Sequence, residues 1–287
     1  MTAPTSSPLA SPLSPRRSAT SRWWLYPILT VAVLLTVLPF AWMLLYSFLP
    51  EEVIRGGLDG LLPLTLTGEN FARLLDLGFP RYFLNSALVA VVVTLGNIVF
   101  ASMVGYALAK LTFRGRDLVF GLVLGMLMIP TIVTFIPLFV LTSRLGLVNS
   151  YPGLILPYLV TPIGIFLMRQ FIDGIPDELL QAARIDGAGE MRIFFGVVLP
   201  LSTPALATLS ILTFLSSWNN FLWPLVVAQS DDYYTLPVAL ALYSTGTQGT
   251  NYGLLMAGAV AVIVPILILF VVLQRHFTQG VATTGLK

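Results

Sequence analysis

The feature of this sequence that most constrains its fold is a set of six long stretches without Asp, Glu, Lys or Arg. A helix crosses a bilayer with about 20 apolar residues, and each stretch reaches that length. Because open strands would leave backbone groups unpaired in lipid, we predict six transmembrane helices. In chain order, the predicted spans are Trp24–Phe48, Leu84–Ala109, Leu118–Thr142, Tyr151–Met168, Val197–Leu222 and Tyr252–Leu273.

The composition supports an all-α integral membrane protein. Only 10% of the 287 residues are charged, whereas soluble domains contain about 25%, so most of the surface must face lipid. A net charge of +2 argues against nucleic acid as a partner. The sequence has no cysteine, a single histidine and no phosphate-binding Gly-Lys-Ser/Thr loop. We therefore predict no catalytic residue, no metal site and no cofactor in this chain.

The distribution of basic residues predicts the orientation in the membrane. With the N-terminus inside, 11 of the 15 Lys and Arg residues fall in inner segments, as the positive-inside rule requires. We expect both termini in the cytosol. The inner residues are Arg16, Arg17, Arg22, Lys110, Arg114, Arg116, Arg169, Arg184, Arg192, Arg275 and Lys287, and the outer ones are Arg55, Arg73, Arg81 and Arg144.

The chain divides into four predicted regions. Residues 1–22 are rich in Ser and Pro and are expected to form a disordered cytosolic tail. Residues 23–80 contain the first span and an outer loop, residues 81–275 form the transmembrane core, and residues 276–287 form a C-terminal tail. Prolines in spans 3, 4 and 5 predict kinked helices, which serve either static packing or hinge motion.

A polar sequence, Ser-Ser-Trp-Asn-Asn, interrupts the fifth span. Polar side chains at membrane depth usually face the bundle interior or a wet cavity. Uncharged amide, hydroxyl and indole groups suit a neutral polyol, although hydrogen bonds between helices would explain the same residues. The candidates for a translocation path are Asn97, Ser216, Trp218, Asn219 and Asn220.

One long polar segment, Ile175–Pro200, separates spans 4 and 5 on the predicted inner side. Pro176 and the acidic residues after it predict a helix start, and Gly187 predicts its end. A second short helix is expected from about Gly189 to Pro200. One narrow apolar face is predicted from Leu179, Ala182 and Ala183. The face has no large anchor for the lipid surface, so we interpret this polar loop as a docking element for another protein.

The polar loop resembles the E-A-A-x3-G-x9-I-x-L-P loop of binding-protein-dependent ABC importer permeases. Gln181-Ala182-Ala183 falls on E-A-A, Gly187 on the glycine, Val197 on the isoleucine and Leu199-Pro200 on Leu-Pro. The first position departs from the motif, because Gln181 replaces a glutamate. A neutral amide still forms hydrogen bonds but lacks the charge-assisted contribution of a carboxylate.

Further segments are similar to the carbohydrate branch (maltose-type, MalG-like) of that family. They are Asn85-Ser86, the tract from Trp218 to Leu225, and Gln274-Arg275-His276-Phe277, so the resemblance extends from about Asn85 to Lys287. It implies the type I ABC importer fold in a prokaryotic cytoplasmic membrane. It also implies a permease that translocates a sugar or related polyol.

The resemblance implies the partners as well. They are a second permease subunit, two ABC ATPase subunits that bind ATP and Mg, and an extracytoplasmic solute-binding protein. The ATPase-coupling residues would be Glu178, Gln181, Ala182, Ala183, Asp186, Gly187 and Ala188. The loop between spans 5 and 6 would reach the binding protein through Gly246, Thr247, Gln248 and Gly249.

Two other classes of function were weighed. A secondary transporter or channel acting alone would be expected to show inverted repeats or acidic residues inside the membrane. A membrane-embedded enzyme would need a catalytic set within the spans. The sequence shows neither, and dependence of uptake on an ATPase would separate the ABC permease from both.

Overall fold

A computed structural model describes residues 24–56, 65–246 and 249–284, with side chains in 244–249 and 273–284 left undescribed. The predicted disordered tail, residues 1–22, lies outside these ranges. The described chain is helical apart from turns and one antiparallel pairing of two-residue strands, Thr245–Gly246 with Gly249–Thr250. The predicted all-α class is confirmed.

The chain divides into a unit that ends at Trp42 and a second unit from Met43 onward. The described part of the first unit consists of most of the helix Leu25–Ser47, which has 23 residues. Its side chains are almost all apolar and exposed up to Trp42. A helix that is apolar on every side is stable in lipid and not in water, as expected of the first span.

Three helices are long and apolar enough to cross a membrane unbroken: Leu25–Ser47, Phe79–Lys110 and Tyr252–Val272. They match predicted spans 1, 2 and 6. Span 2 contains a five-residue π-helical segment, Asn97–Ala101. The last helix continues to Thr284, so the described part of the predicted C-terminal tail is a helical extension of span 6.

The other three predicted spans are bent pairs of helices, so that up to six spans are present if each pair counts as one. Span 3 consists of Arg116–Met128 and Thr131–Arg144, at 105° to each other. The break falls at Ile129, which is extended before Pro130 (φ −83°, ψ 120°). A proline disfavours the helical conformation in the residue before it.

Spans 4 and 5 are broken in the same way. Span 4 consists of Tyr151–Tyr158 and Pro162–Asp173, bent by 41°. Span 5 follows the helix Glu190–Leu201 after a bend of 83° and occupies Thr203–Trp218. The predicted start of span 5 at Val197 falls in the first helix of this bent pair, before the turn. Pro204 lies in the first turn of the second helix, where its missing N–H costs no hydrogen bond, and the chain turns at Ser202.

Among the described residues, four short helices lie outside the spans and the polar loop. Glu51–Arg55 and Glu69–Asp76 precede span 2, and Leu222–Val227 and Leu236–Ser244 lie between spans 5 and 6. The polar loop contains the helix Asp177–Ile185, which we call the loop helix.

The polar loop is packed on the C-terminal ends of spans 2 and 4. A buried apolar cluster joins Tyr106 of span 2, Met168 and Ile172 of span 4, and Leu180 and Ile193 of the loop. Each of these side chains is at most 4% exposed. Burying several large apolar side chains contributes about 1.5–3 kcal/mol for each, so the loop is a fixed part of the fold.

Candidate functional site

The loop helix begins and ends at residues that favour helix termini. Pro176 precedes it with an extended backbone, and Asp177 and Glu178 occupy its first turn. At its end, Gly187 has φ of +80°. The amide of Gly187 donates to Arg184 O at 3.0 Å, and that of Ala188 donates to Ala183 O at 3.0 Å. These are the two bonds of a Schellman motif, so the predicted stop at Gly187 is confirmed.

The loop helix turns one side toward the protein and the other toward solvent. Leu180 is 1% exposed, whereas Leu179 is 45% exposed and Ile185 is 86% exposed. The predicted apolar face of Leu179, Ala182 and Ala183 is therefore wrong at Leu179, because the buried leucine is Leu180. Leu180 and half-buried Ala183 face the protein, because residues three apart share one side of a helix.

The solvent side carries most of the predicted coupling residues. At 100° per residue, Glu178, Ala182 and Ile185 lie about 140–160° from Leu180, and Gln181 lies about 100° from it on the flank of the helix. All four are exposed. Asp186 and Gly187 are exposed beyond the helix end, while Ala183 and Ala188 are half-buried. Sequence reasoning missed Ile185, although its position seven residues after Glu178 places both on one side of a helix.

An ion pair and a tyrosine fix the C-terminal end of the loop helix. Arg184 Nε and Nη2 donate to the carboxylate of Glu190 at 2.9 Å and 3.4 Å. The hydroxyl of Tyr106, on span 2, donates to Glu190 Oε2. The Arg184 hydrogen bond, and then that of Tyr106, lower the pKa of Glu190 below its usual range. Glu190 is therefore ionised at neutral pH and holds both partners.

The predicted translocation residue Trp218 is inside the fold. It is 1% exposed, and its indole N–H donates to Val262 O of span 6 at 2.9 Å. Its ring stacks on Phe214 with centroids 5.6 Å apart. Because the only polar atom of the indole is used between helices, Trp218 has no hydrogen bond left for a solute in this conformation.

Asn97 is also fully engaged. Its amide group donates to Val93 O at 3.0 Å and to Tyr158 O at 2.8 Å. Its carbonyl accepts from the amide and the hydroxyl of Thr161, at 2.9 Å and 2.6 Å. These bonds join the π-helical segment of span 2 to the break in span 4. They correspond to the interhelical alternative that the sequence left open.

The other polar residues at the end of span 5 are more accessible. Ser216 and Asn219 are exposed, and Asn220 is half-buried. The Asn219 amide donates to Leu215 O at 3.0 Å, one turn back. The Asn220 carbonyl accepts from the amide of Trp223 at 3.4 Å. Ser216 and Asn219 are therefore the two residues of this set with exposed side chains.

The loop between spans 5 and 6 is anchored on the start of span 2. Asn85 Nδ2 donates to Asp232 O and Tyr234 O, both at 2.9 Å. Ser86 Oγ accepts from the amide of Leu236 at 2.8 Å. The anchor explains why Asn85-Ser86 is a feature of the resemblance. At the tip, Gly246 pairs with Gly249, while Thr247 and Gln248 lie outside the described residues.

Among the residues that the structure describes, no group of three or more His, Cys, Asp or Glu side chains is placed to hold a metal ion. The outer side of the loop helix exposes Glu178, Gln181, Ala182 and Ile185, and the end of span 5 exposes Ser216 and Asn219. These side chains offer hydrogen bonds, one carboxylate and apolar contact.

Residues 98–283 match a family described as binding-protein-dependent transport system inner membrane component. The matched region includes the whole polar loop and spans 4 to 6. It covers more than half of the 287 residues. The family and the resemblance seen in the sequence agree.

Two relatives illustrate the similarity. The arabinooligosaccharides transport system permease protein AraQ of Halalkalibacterium halodurans is 47% identical over 257 residues, which cover 88% of this chain and 92% of AraQ. The diacetylchitobiose uptake system permease protein NgcG of Streptomyces coelicolor is 33% identical over 262 residues, covering 90% and 86% of the two chains.

A solved structure has the same fold. It is a chain of a bacterial ABC transporter involved in the import of the acidic polysaccharide alginate. The TM-score is 0.80 at 24% identity, and the match covers 92% of this chain and 100% of that chain. The arrangement of broken and continuous helices is thus that of an ABC importer subunit.

Proposed function

Since the chain belongs to the family of binding-protein-dependent transport system inner membrane components, we propose that it is the permease subunit of an ATP-driven importer for a neutral oligosaccharide. The observation that carries the proposal is the 47% identity to an arabinooligosaccharide permease over 88% of this chain. The uncharged spans and the accessible Ser216 and Asn219 support it, because hydroxyl and amide groups suit an uncharged sugar.

The exposed side of the loop helix supports a role in docking an ATPase. Ile185 is 86% exposed beside Glu178 and Gln181. An apolar residue rimmed by polar groups is the usual composition of a small protein interface. In this proposal Ile185 fills a cleft of the ATPase, and Gln181 supplies a hydrogen bond where relatives with the E-A-A sequence supply a carboxylate.

The remaining subunits follow from the same proposal. This chain pairs with a second permease, and two ATPase subunits bind ATP and Mg on the cytosolic side. The excess of Lys and Arg in inner segments supports cytosolic termini. The hairpin that pairs Gly246 with Gly249 then lies on the outer side, where a solute-binding protein delivers the sugar.

Reconstitution of the four-component transporter tests the function. Proteoliposomes containing both permeases and the ATPase, supplied with binding protein loaded with arabinooligosaccharide, are expected to accumulate sugar only with internal ATP. A variant ATPase that binds but does not hydrolyse ATP is the control. Uptake by this chain without the ATPase, abolished by a proton ionophore, would instead identify a secondary transporter.

Two glycines of the polar loop test the docking role. Gly187→Ala places a side chain at φ +80°, which costs about 1–2 kcal/mol and distorts the end of the loop helix. We expect uptake and stimulated ATP hydrolysis to fall together. Gly189→Ala is the matched control, because Gly189 has an ordinary φ of −73° and open space around it. Equal activity of both variants would contradict the docking role.

A further inference from the structure

The cytosolic end of span 2 holds the polar loop at both ends of the loop helix. Tyr106 bonds to Glu190, which follows the loop helix in the chain. Lys110 bonds to residues before the loop helix and in its first turn. We call Tyr106 and Lys110 the clamp. They are four residues apart, so they lie one turn from each other on the same side of span 2.

Lys110 is the stronger half of the clamp. Its ammonium group donates to Asp173 O at 3.1 Å, to Ile175 O at 2.6 Å and to Asp177 Oδ1 at 2.7 Å. The side chain is only 7% exposed. An ammonium has three donors, and all three are used. The two carbonyls lie at and just after the end of the span 4 helix, where a cation is favoured.

Burial makes this arrangement hard to replace. A charge that is removed from water is stable only when it is paired and hydrogen-bonded. If the loop helix moved away from span 2, Lys110 would lose its bonds to Asp177 and Ile175. The same displacement would take Glu190 from the hydroxyl of Tyr106, which is 4% exposed.

Spans 2 and 4 are themselves in close contact beside the clamp. A Cβ atom added to Gly105 would lie 2.9 Å from both Arg169 N and Met168 Cβ. Such a contact is possible only without a side chain. Half-way along the spans, Asn97 bonds to Tyr158 and Thr161. Spans 2 and 4 are therefore joined at Asn97 and at Gly105, and the clamp joins them to the loop helix.

The connection of the loop to span 5 is different. It passes through a π-helical segment, Phe194–Val198, and then turns by 83° at Ser202. The Ser202 hydroxyl is buried and has no hydrogen-bond partner in the structure. One side-chain hydrogen bond spans the turn, from the hydroxyl of Thr203 to Pro200 O at 2.6 Å. Among the described residues, no charged side chain bonds across the turn as Lys110 does at the loop helix.

From these contacts we infer that Tyr106 and Lys110 are positioning residues that make the loop helix move with spans 2 and 4 as one body. Displacement of the loop helix by an ATPase is then transmitted to the Asn97–Thr161 contact inside the membrane, while the chain bends at Ser202. The inference rests on the proposed function, since it specifies how the loop transmits motion.

A single substitution tests the clamp in the reconstituted transporter. Lys110→Met removes the donors and keeps an unbranched side chain. We expect sugar transported per ATP hydrolysed to fall about tenfold or more. Arg114→Met is the matched control, because it removes the same charge four residues later from an exposed position. An unchanged transport ratio in Lys110→Met would overturn the inference.

A covalent link distinguishes joint motion from mere stability. The chain contains no cysteine, so Lys110→Cys with Asp177→Cys gives the only reactive pair. Before cross-linking, the double variant is expected to behave as Lys110→Met. A short bifunctional thiol reagent should then restore the transport ratio, because it ties the loop helix to span 2 again. Inhibition of transport by the cross-link would show that the two must separate, and would overturn the inference.

These readouts separate the two proposals. If the unmodified transporter shows no ATP-dependent sugar uptake, the proposed function fails. If it does, and the cross-linked pair remains uncoupled or becomes blocked, the clamp alone fails. Single-cysteine variants treated with the same reagent control for simple modification of either residue.

Discussion

The polar loop and the polar end of span 5 both interrupt apolar sequence with polar side chains, and they use them in opposite ways. The loop helix turns Glu178, Gln181 and Ile185 to solvent. At the end of span 5, Trp218 is 1% exposed and bonds to span 6. The loop helix thus forms an outward-facing surface, whereas Trp218 forms a connection between two helices.

The difference follows from the surroundings. Water satisfies an exposed polar group outside the bilayer, so the loop helix can present such groups to a partner. Within a membrane an unpaired polar group costs several kcal/mol, so Trp218 bonds to another helix. Polarity alone therefore does not identify the solute path, and exposed Ser216 and Asn219 are the better candidates.

The largest expected effect comes from removing the indole of Trp218. Trp218→Ala deletes a buried ring that stacks on Phe214 and leaves Val262 O without its donor. Loss of a buried aromatic side chain costs about 3–5 kcal/mol. We expect poor assembly and a clearly lower unfolding temperature of the purified transporter. A calorimetric or fluorescence scan in detergent measures it.

Trp218→Phe separates packing from hydrogen bonding at the same position. The smaller ring retains most of the stacking and loses only the bond to Val262, so its unfolding temperature should lie between those of Trp218→Ala and the unmodified protein. If Trp218→Ala were as stable as the unmodified protein and changed only sugar affinity, Trp218 would belong to the solute path.

An intermediate effect is expected at Ile185, with the opposite signature. Ile185→Glu adds a charge to a side chain that is 86% exposed, so stability should change by less than about 0.5 kcal/mol. In the proposed interface the buried charge weakens docking, and stimulated ATP hydrolysis should fall about tenfold or more. Titration of the ATPase against the permease pair measures it.

Ile185→Leu is the conservative control for this prediction. It keeps the apolar volume and should retain most of the stimulated hydrolysis. If Ile185→Glu lowered the unfolding temperature as strongly as Trp218→Ala, the outer side of the loop helix would be part of the fold. The contrast between the two regions would then disappear.

Much of this architecture is predictable from the sequence because single residues dominate it. Uncharged stretches identify six membrane segments, and Gly187 alone ends the loop helix, since its φ of +80° suits glycine. The presence of the polar loop and its exposed coupling residues follows from the same local signals.

The rest depends on contacts between distant segments. Prolines predict kinks but not the size of a bend, such as the 105° bend in span 3 or the 83° bend before span 5. Leu179 and Leu180 are chemically identical, and only the position of Ile172 and Ile193 decides which is buried. Likewise, the side chain of Asn97 completes its hydrogen bonds with Tyr158 and Thr161, which lie about 60 residues away in the sequence.

The smallest expected effect concerns pH and the ion pair behind the loop helix. In the folded protein the pKa of Glu190 is lowered by its hydrogen bonds to Arg184 and then Tyr106. A lowered carboxyl pKa contributes stability that is present above the unfolded pKa, about 4.3, and is lost as the pH falls through the folded value. Because both ionic side chains are about 40% exposed, solvent screening keeps the contribution small.

Glu190→Gln makes this contribution measurable. We expect the unmodified protein to unfold at a slightly higher temperature than Glu190→Gln at pH 7. The difference should shrink as the pH falls below about 4.3 and vanish once the pH is below the lowered pKa of Glu190. Glu178→Gln, on the solvent side of the loop helix, is the control and should show no such difference. A difference in unfolding temperature that persists at low pH would contradict a role for the carboxylate charge. Glu190 would then hold the end of the loop helix through hydrogen bonds that the amide of glutamine cannot reproduce.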